Sequence, residues 1–228
     1  MFVDCLVKIN ETRKRSAARG QNEIMGRTSD AKERLMDAVT DLIWHGSYGS
    51  TTIDQICEKA GVKKGSFYYF FESKSDLAAA ALAATWLTKQ PELDAIFSPT
   101  IPPLERLRRF CELGYEHQKE LKKEHGCVMG CPLFTLGAEV CNQESKLHDQ
   151  IKIVLGHYHT YIESAIRDAH VQGLIHAPDA ASKARMLFAY SEGLMTQARI
   201  INDVEVLREM TDGVMGILGA KTAQRKAA

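Results

Sequence analysis

Apolar residues recur about every 3.6 residues along most of this 228-residue chain, and no segment shows the strict alternation of a half-buried strand. The pattern begins at Ser29 and returns in segments separated by glycine, asparagine and proline. It predicts an all-α protein. The longest helix is expected between Glu144 and Gln172, with a buried face formed by Leu147, Ile151, Val154, Tyr158, Ile162 and Ile166.

Short helices with clear start and stop signals follow the first helix, which is expected over residues 29–46. Thr52 and Gln55 form a capping box that opens the second helix, and Gly61 ends it. A third helix over residues 63–71 follows after a very short turn. This order predicts a helix-turn-helix.

A proline-rich segment divides the chain, because residues 91–103 hold four of its six prolines. A fourth helix is therefore expected to end near Lys89, before a connector. Beyond the connector, further helices are expected over residues 103–124, 131–141, 144–172, 179–200 and 204–218.

Three regions follow from this organisation. Residues 1–27 form a basic N-terminal arm, predicted to be flexible, in which Lys8, Arg13, Lys14, Arg15 and Arg19 outnumber the acidic residues. An alternative is that this stretch is translated upstream sequence ahead of a start at Met25. Residues 28–77 form the predicted helix-turn-helix domain, and residues 78–228 a helical ligand-sensing and dimerisation domain.

Composition excludes several classes of protein. The formal net charge is zero, so any contact with nucleic acid must come from local placement of basic groups. No export signal is visible, and no membrane span is expected, because the longest low-polarity run, from Leu77 to Leu87, is far shorter than the roughly 20 residues that a span needs. A cytoplasmic location is therefore predicted. Six irregularly spaced cysteines do not form a disulfide scaffold. No catalytic or cofactor-binding motif is present, so no enzyme activity and no cofactor are expected.

The third helix combines two aromatic anchors with exposed polar groups. Phe67 and Phe71 lie four residues apart and can fix the helix to a core, which leaves Lys64, Tyr68 and Tyr69 on other faces. Ammonium and phenol groups can meet phosphate oxygens, and a glycine such as Gly65 lets a backbone approach closely; Lys74 is placed for the same task at the next helix start. The pattern favours DNA as a partner over a purely structural hairpin.

The block from Thr51 to Lys74, TTIDQICEKAGVKKGSFYYFFESK, resembles the DNA-binding signature of TetR-family regulators. The resemblance implies a repressor that binds double-stranded operator DNA and responds to a small-molecule inducer. It departs from the family pattern at Phe70 and Glu72, which puts phosphate contacts from those positions in doubt. The candidate DNA-binding residues are Thr52, Lys63, Lys64, Gly65, Ser66, Tyr68, Tyr69 and Lys74.

A cysteine-containing segment follows His125 and reads Gly126-Cys127-Val128-Met129-Gly130-Cys131-Pro132, with Cys141 ten residues further on. It is similar to the NemR-like subgroup, whose members repress N-ethylmaleimide reductase and respond to reactive electrophiles and oxidants. By that resemblance Cys131 is the reactive thiol, with Cys127 and Cys141 as candidate partners. A helix N-terminus also stabilises a thiolate and lowers a thiol pKa below its usual value of about 8.5.

Two alternatives stand beside this interpretation. Cys131 and Cys141 can be small buried hydrophobic residues, the role also assigned to Cys57 and Cys111. A metal-sensing protein would gather Cys127, Cys131 and Cys141 with His125 or His117 around zinc or copper(I), but the spacing lacks a second tight pair, so no metal is predicted. The alternative to a repressor is a small-ligand-binding or metal-sensing helical protein without catalysis.

Two further predictions concern the second domain. Trp86, Phe110, Tyr158 and Tyr161 are expected to line a cavity for a small, largely apolar ligand. A homodimer is expected through the last two helices, because their apolar faces exceed what one small domain can cover. The residues assigned to that interface are Leu187, Tyr190, Leu194, Leu207, Met210, Val214 and Ile217.

Overall fold

The computed structural model describes residues 23–140 and 145–220, and within these ranges the chain is helical and contains no strand. Its elements are α1 (Glu23–His45), α2 (Ile53–Ala60), α3 (Lys64–Phe70), α4 (Lys74–Ile96), α5 (Pro103–His125), α6 (Pro132–Val140), α7 (Ser145–Val171), α8 (Ala180–Ile201), a 3-10 helix (Val204–Glu209) and α9 (Met210–Leu218). The predicted all-α fold is confirmed. No helix in the described part of the chain is long and apolar enough to cross a membrane.

Two compact units make up the described chain. The first runs from the start of the described residues to Thr88 and also includes Pro132–Val154; the second contains Lys89–Cys131 and the chain from Leu155 onward. The chain therefore passes between the units three times. The predicted boundary between residues 77 and 78 stays a prediction, because the units are discontinuous in sequence.

Helix α1 supplies one wall of the first unit and packs against α2, α3 and α6. It begins at Glu23, six residues before the predicted start at Ser29; residues 1–22 of the predicted arm lie outside the described ranges. The predicted apolar face is confirmed at Leu35, Ala38 and Val39, which are buried.

Helix α4 continues through Pro91, so the predicted connector over residues 91–103 is wrong in its first part. A proline lacks the amide hydrogen, and the carbonyl of Leu87 therefore loses its partner within the helix. Leu87 is 67% exposed, so water can supply the missing donor. Beyond the proline, Leu93 and Phe97 are buried, and their burial favours continuation of the helix.

The last predicted helix, over residues 204–218, is two elements in the structure. Asp203 caps a 3-10 helix by accepting a hydrogen bond from the backbone of Glu205. Val204 and Leu207 are both buried, and the three-residue period of a 3-10 helix places them on one face. Helix α9 then begins at Met210.

The apolar stripe assigned to a dimer interface belongs largely to the core of the second unit. Leu187, Leu207, Met210 and Val214 are each at most 2% exposed within the single chain. Because the chain buries them itself, they cannot supply the surplus apolar face on which the dimer was predicted.

A buried arginine organises the connector before α5. Arg106 is 3% exposed, and its guanidinium donates to the carboxylate of Asp168 at 2.6 Å. It also donates to the backbone carbonyls of Ile101 at 2.7 Å and Pro99 at 3.2 Å. These bonds satisfy the buried charge and fix the chain that enters α5.

The predicted long helix is confirmed as α7. Its inner face is buried at the aliphatic positions Leu147, Ile151, Val154, Ile162 and Ile166.

Candidate functional site

Helix α2 begins and ends as its sequence predicts. The hydroxyl of Thr52 accepts a hydrogen bond from the backbone of Gln55 at 3.2 Å, and the side chain of Gln55 accepts one from the backbone of Thr52 at 2.8 Å. Gly61 adopts the left-handed conformation, with φ 63°, that glycine tolerates best. Thr52, the N-cap residue of α2, is exposed.

Helix α3 is held by the two predicted aromatic anchors. Phe67 is fully buried, Phe71 is 4% exposed, and their ring centroids lie 6.1 Å apart. Tyr68 and Tyr69 are 55% and 75% exposed on the same short helix. Large aromatic side chains in water are usually explained by a binding surface, so this face of α3 is the candidate nucleic-acid interface.

The remaining predicted contacts of α3 lie beside these tyrosines. Lys63, Lys64 and Gly65 are exposed, and Ser66 is half-buried. A Cβ atom added at Gly65 would meet no atom within 4 Å, so packing inside the chain does not require a glycine there. The open space leaves room for a backbone that approaches from outside.

Lys64 has a partner that sequence analysis missed. Its ammonium lies 2.7 Å from the carboxylate of Asp54, a residue of α2. The hydrogen bond with Asp54, followed by the charge of that carboxylate, raises the pKa of Lys64. A phosphate that binds Lys64 must therefore compete with Asp54 for the ammonium.

Lys74 is tied to the loop between α1 and α2. Its ammonium donates to the carbonyls of Tyr48 at 2.7 Å and Thr51 at 2.8 Å, and it lies 4.1 Å from the centroid of the Tyr48 ring. Lys74 is half-buried. It therefore holds the loop that presents Thr52, a role that the sequence did not indicate.

The segment before α6 is positioned by a buried glutamine. Gln118, which is 2% exposed, accepts from the backbone amides of Met129 at 3.1 Å and Gly130 at 2.9 Å and donates to the carbonyl of Gly130 at 3.1 Å. Gly130 is left-handed, with φ 71°. These bonds fix Cys131, the residue just before α6, which is half-buried.

Cys131 meets an acidic side chain of α8. Its thiol is hydrogen-bonded to Glu192, a buried residue. Burial raises the pKa of Glu192 to about 7, although the bond with Cys131 acts in the opposite direction. A carboxyl beside a nucleophilic thiol can exchange a proton at neutral pH. Cys131 was predicted from the sequence, whereas Gln118 and Glu192 were not.

The other cysteines fall into two groups. Cys57 and Cys111 are buried, as their packing role predicts, and burial raises the pKa of Cys111 to about 12. Cys127 is exposed, with its sulfur 3.6 Å from that of Met129, and Cys141 lies outside the described residues. Within those residues no group of three histidine, cysteine or acidic side chains is placed to hold a metal ion.

Three of the four predicted ligand-contacting aromatic residues lie in one cluster of the second unit. The ring centroids of Phe110 and Tyr158 lie 6.3 Å apart. Phe97, which was not predicted, lies between Phe110 and Tyr161, with centroid distances of 5.7 Å and 5.2 Å to their rings. Burial, followed by its hydrogen bond to Asp94, raises the pKa of Tyr161 to about 12. The fourth, Trp86, is a buried residue of the first unit.

Two family models match the chain, and together they cover more than half of it. The model described as bacterial regulatory proteins of the tetR family matches residues 35–81, and the model for the Tetracyclin repressor-like C-terminal domain matches residues 103–214. The chain belongs to the TetR family of bacterial transcriptional regulators. Members of this family bind operator DNA and small-molecule ligands, typically as dimers, and are not enzymes.

Individual relatives agree with this assignment. The chain is 28% identical to the transcriptional regulator AcuR of Cereibacter sphaeroides, over 68% of this chain and 70% of the relative. It is 25% identical to the HTH-type transcriptional repressor NemR of Escherichia coli K12, over 83% of this chain and 94% of the relative.

Solved structures of regulators share the fold. A regulatory protein TetR from Rhodobacter sphaeroides is 26% identical, with a TM-score of 0.70 over 81% of this chain and 96% of that one. The reduced form of Escherichia coli NemR has a TM-score of 0.72 at 21% identity, over 85% of this chain and 99% of that one, which shows a common fold.

Proposed function

We propose that the protein is a transcriptional repressor whose α3 face binds operator DNA and whose second unit releases the DNA in response to a small molecule or a reactive electrophile or oxidant. The observation that carries the DNA-binding part is the exposure of Tyr68 and Tyr69 beside Lys63 and Lys64, on a helix fixed by the buried ring of Phe67. A repressor acts on the chromosome, and we therefore place it in the cytoplasm.

The chemistry of this face suits a DNA backbone. Lysine ammonium and tyrosine hydroxyl groups donate to phosphate oxygens, and such contacts position a protein on the duplex. Gly65 and Ser66, on the same helix, and Thr52, at the start of α2, are further proposed contacts. Lys74 contributes mainly by holding the loop before Thr52, although its ammonium can also attract a phosphate.

Footprinting on genomic DNA tests this proposal and supplies the operator. Tyr68→Ala is expected to weaken binding to the fragment so identified, while Lys119→Ala, which removes an exposed charge from the second unit, is the matched control. Equal loss in both variants would mean that α3 is not the contact surface. A protein that binds no fragment at low salt would instead be a small-ligand carrier.

The functional protein is proposed to be a homodimer through its last two helices. The stripe that includes Leu187 is internal, so the support comes from other residues of α8. Met186, Ile200 and Ile201 are 53%, 75% and 60% exposed, and exposed aliphatic side chains favour association with a partner surface. A monomer in light scattering at micromolar concentration and low salt would refute the dimer.

Cys131 is the proposed sensing thiol, and Cys127 and Cys141 are its candidate partners. Cys131 is fixed by the bonds of Gln118 to the preceding residues, and the chain crosses from the second unit to the first between Cys131 and Pro132. Added bulk or charge at this crossing would displace the start of α6. Phe110, Tyr158 and Tyr161 of the second unit remain candidate contacts for a non-covalent inducer; Trp86, which was predicted with them, belongs to the first unit.

Operator release by a mild electrophile tests the sensing proposal. Wild type is expected to release the operator, whereas Cys131→Ser should stay bound. Cys127→Ser, which removes an exposed thiol, should release the operator as wild type does, because a stable adduct on Cys131 needs no partner thiol. Added reductant should protect against oxidants but not against a stable adduct. If Cys131→Ser releases DNA as wild type does, the thiol has only a packing role.

A further inference from the structure

Glu192 is the only buried carboxyl side chain in the described part of the chain, and it is 6% exposed. Its oxygen Oε2 has no hydrogen-bond partner among the described residues. A buried polar atom without a partner is costly and therefore needs an explanation. The same carboxyl is hydrogen-bonded to the Cys131 thiol, which places the unused oxygen beside a nucleophile.

An aromatic wall and a phenol adjoin this pair. The Tyr158 ring stacks on Phe188 with a centroid distance of 5.4 Å and an interplanar angle of 18°, and the Phe110 ring lies 6.3 Å from that of Tyr158. Cys131 and Glu192 lie near enough to Tyr158 for a negative charge on either one to raise the pKa of its phenol. A small, largely apolar molecule bound here would meet both aromatic rings and hydrogen-bonding groups.

Burial keeps the acids of this cluster in their proton-bearing forms. It raises the pKa of Glu192 to about 7 and also raises the pKa of Tyr158, which Cys131, Glu192 and Glu92 raise further when they carry a negative charge. Near neutral pH a large share of Glu192 therefore carries a proton. Protonated Glu192 is then a hydrogen-bond donor, which suits a ligand with an acceptor oxygen.

We infer that Glu192 is the proton donor of the sensing site and that the ligand is a small, uncharged carbonyl compound with a conjugated carbon–carbon double bond. The inference rests on the proposed sensing role of Cys131. In the bound ligand the carbonyl oxygen accepts a hydrogen bond from Glu192 Oε2. The conjugated carbon farther from the carbonyl is the one that Cys131 attacks.

The addition balances without an oxidant. Cys131 first loses its proton to solvent, and its sulfur then forms a bond to the terminal conjugated carbon. The π electron pair moves toward the carbonyl oxygen, which takes the proton from Glu192; the resulting enol returns to the carbonyl form, and Glu192 regains a proton from solvent. An electrophile that has no acceptor oxygen in this position gains nothing from Glu192.

Two reagents separate this role from a general effect on the thiol. Methyl vinyl ketone needs carbonyl activation, whereas methyl methanethiolsulfonate reports the reactivity of the thiolate alone. The rates of both at Cys131 are measured by tandem mass spectrometry on the full-length protein, and operator release is measured in parallel. The ratio of the two rates is the quantity of interest, because a change in thiol exposure or ionisation moves both rates together.

In wild type this ratio should fall as the pH rises through about 7, the region where Glu192 loses its proton. Glu192→Gln keeps the size but cannot give up a proton, so its ratio should be about tenfold lower and independent of pH. Glu192→Asp should restore part of both effects. The wild-type pH profile tests the inference even if a variant fails to fold.

Two failures can be told apart. If both reagents modify Cys131 and the DNA is released, but the ratio is flat with pH in wild type and unchanged in Glu192→Gln, the role of Glu192 is refuted while Cys131 remains the sensor. If the modified protein still holds its operator, or if neither reagent reaches Cys131, the proposed sensing function falls and the inference falls with it.

Discussion

Replacement of Lys74 by methionine separates its structural role from a phosphate contact. Lys74→Met keeps the alkyl chain but removes the ammonium that donates to the carbonyls of Tyr48 and Thr51 at 2.7 Å and 2.8 Å. A hydrogen bond from a charged group contributes about 1.5–3 kcal/mol when it is well buried. Because Lys74 is only half-buried, we expect the two bonds together to contribute about 2–3 kcal/mol.

Thermal unfolding measures this loss. For a chain of this length each kcal/mol corresponds to roughly 2–4 °C, so the midpoint should fall by roughly 4–12 °C. Lys63→Met is the matched control, since Lys63 is exposed and its side chain makes no capping bond; it should weaken operator binding without lowering the midpoint. An unchanged midpoint in Lys74→Met, with a salt dependence of binding reduced by about one phosphate contact, would refute the structural role.

Three more changes test single features. In DNA titrations Lys64→Ala should weaken operator binding and reduce its salt dependence by about one phosphate contact per subunit. Asp54→Asn, which frees the Lys64 ammonium, should tighten binding. If both variants change the affinity in the same direction, Asp54 does not compete with phosphate for Lys64. Gly213→Ala places a Cβ 1.9 Å from the Tyr190 hydroxyl, and this clash should destabilise the protein by about 1–3 kcal/mol in denaturant unfolding. Tyr190→Leu in the same chain should restore the stability if the clash is the cause. Arg106→Met should cost about 1–3 kcal/mol, measured in the same way, because it removes the buried donor to the carbonyls of Ile101 and Pro99; a variant as stable as wild type would show that the connector does not need Arg106.

Local signals account for what the sequence predicted well. The capping box of Thr52 and Gln55 and the anchors Phe67 and Phe71 each depend on residues within about one helical turn of each other, where spacing alone fixes the geometry. The family signature extends over the same short block. The helix-turn-helix and its exposed face could therefore be predicted from the amino-acid sequence alone.

Contacts between distant residues could not be predicted in this way. Asp54, Gln118 and Glu192 are single polar residues on helices. Nothing near them in sequence indicates that Asp54 pairs with Lys64, that Gln118 bonds the loop before α6, or that Glu192 bonds the Cys131 thiol. Periodicity has a similar limit, as the buried residues Leu187 and Leu207 show. An apolar stripe predicts that a helix face is covered, but it does not indicate whether the same chain or a second copy covers that face.

The discontinuous first unit has a consequence for biosynthesis. Within it, Glu139 accepts from the backbone amide of Gly49 at 3.0 Å, and Lys146 lies 2.8 Å from Glu72. These partners are made long after the residues they hold, so a nascent chain that has just passed Thr88 has α1 to α3 but none of these contacts. The first unit has all its residues only when the chain as far as Val154 has left the ribosome, and a chain that stops before Pro132 lacks these contacts.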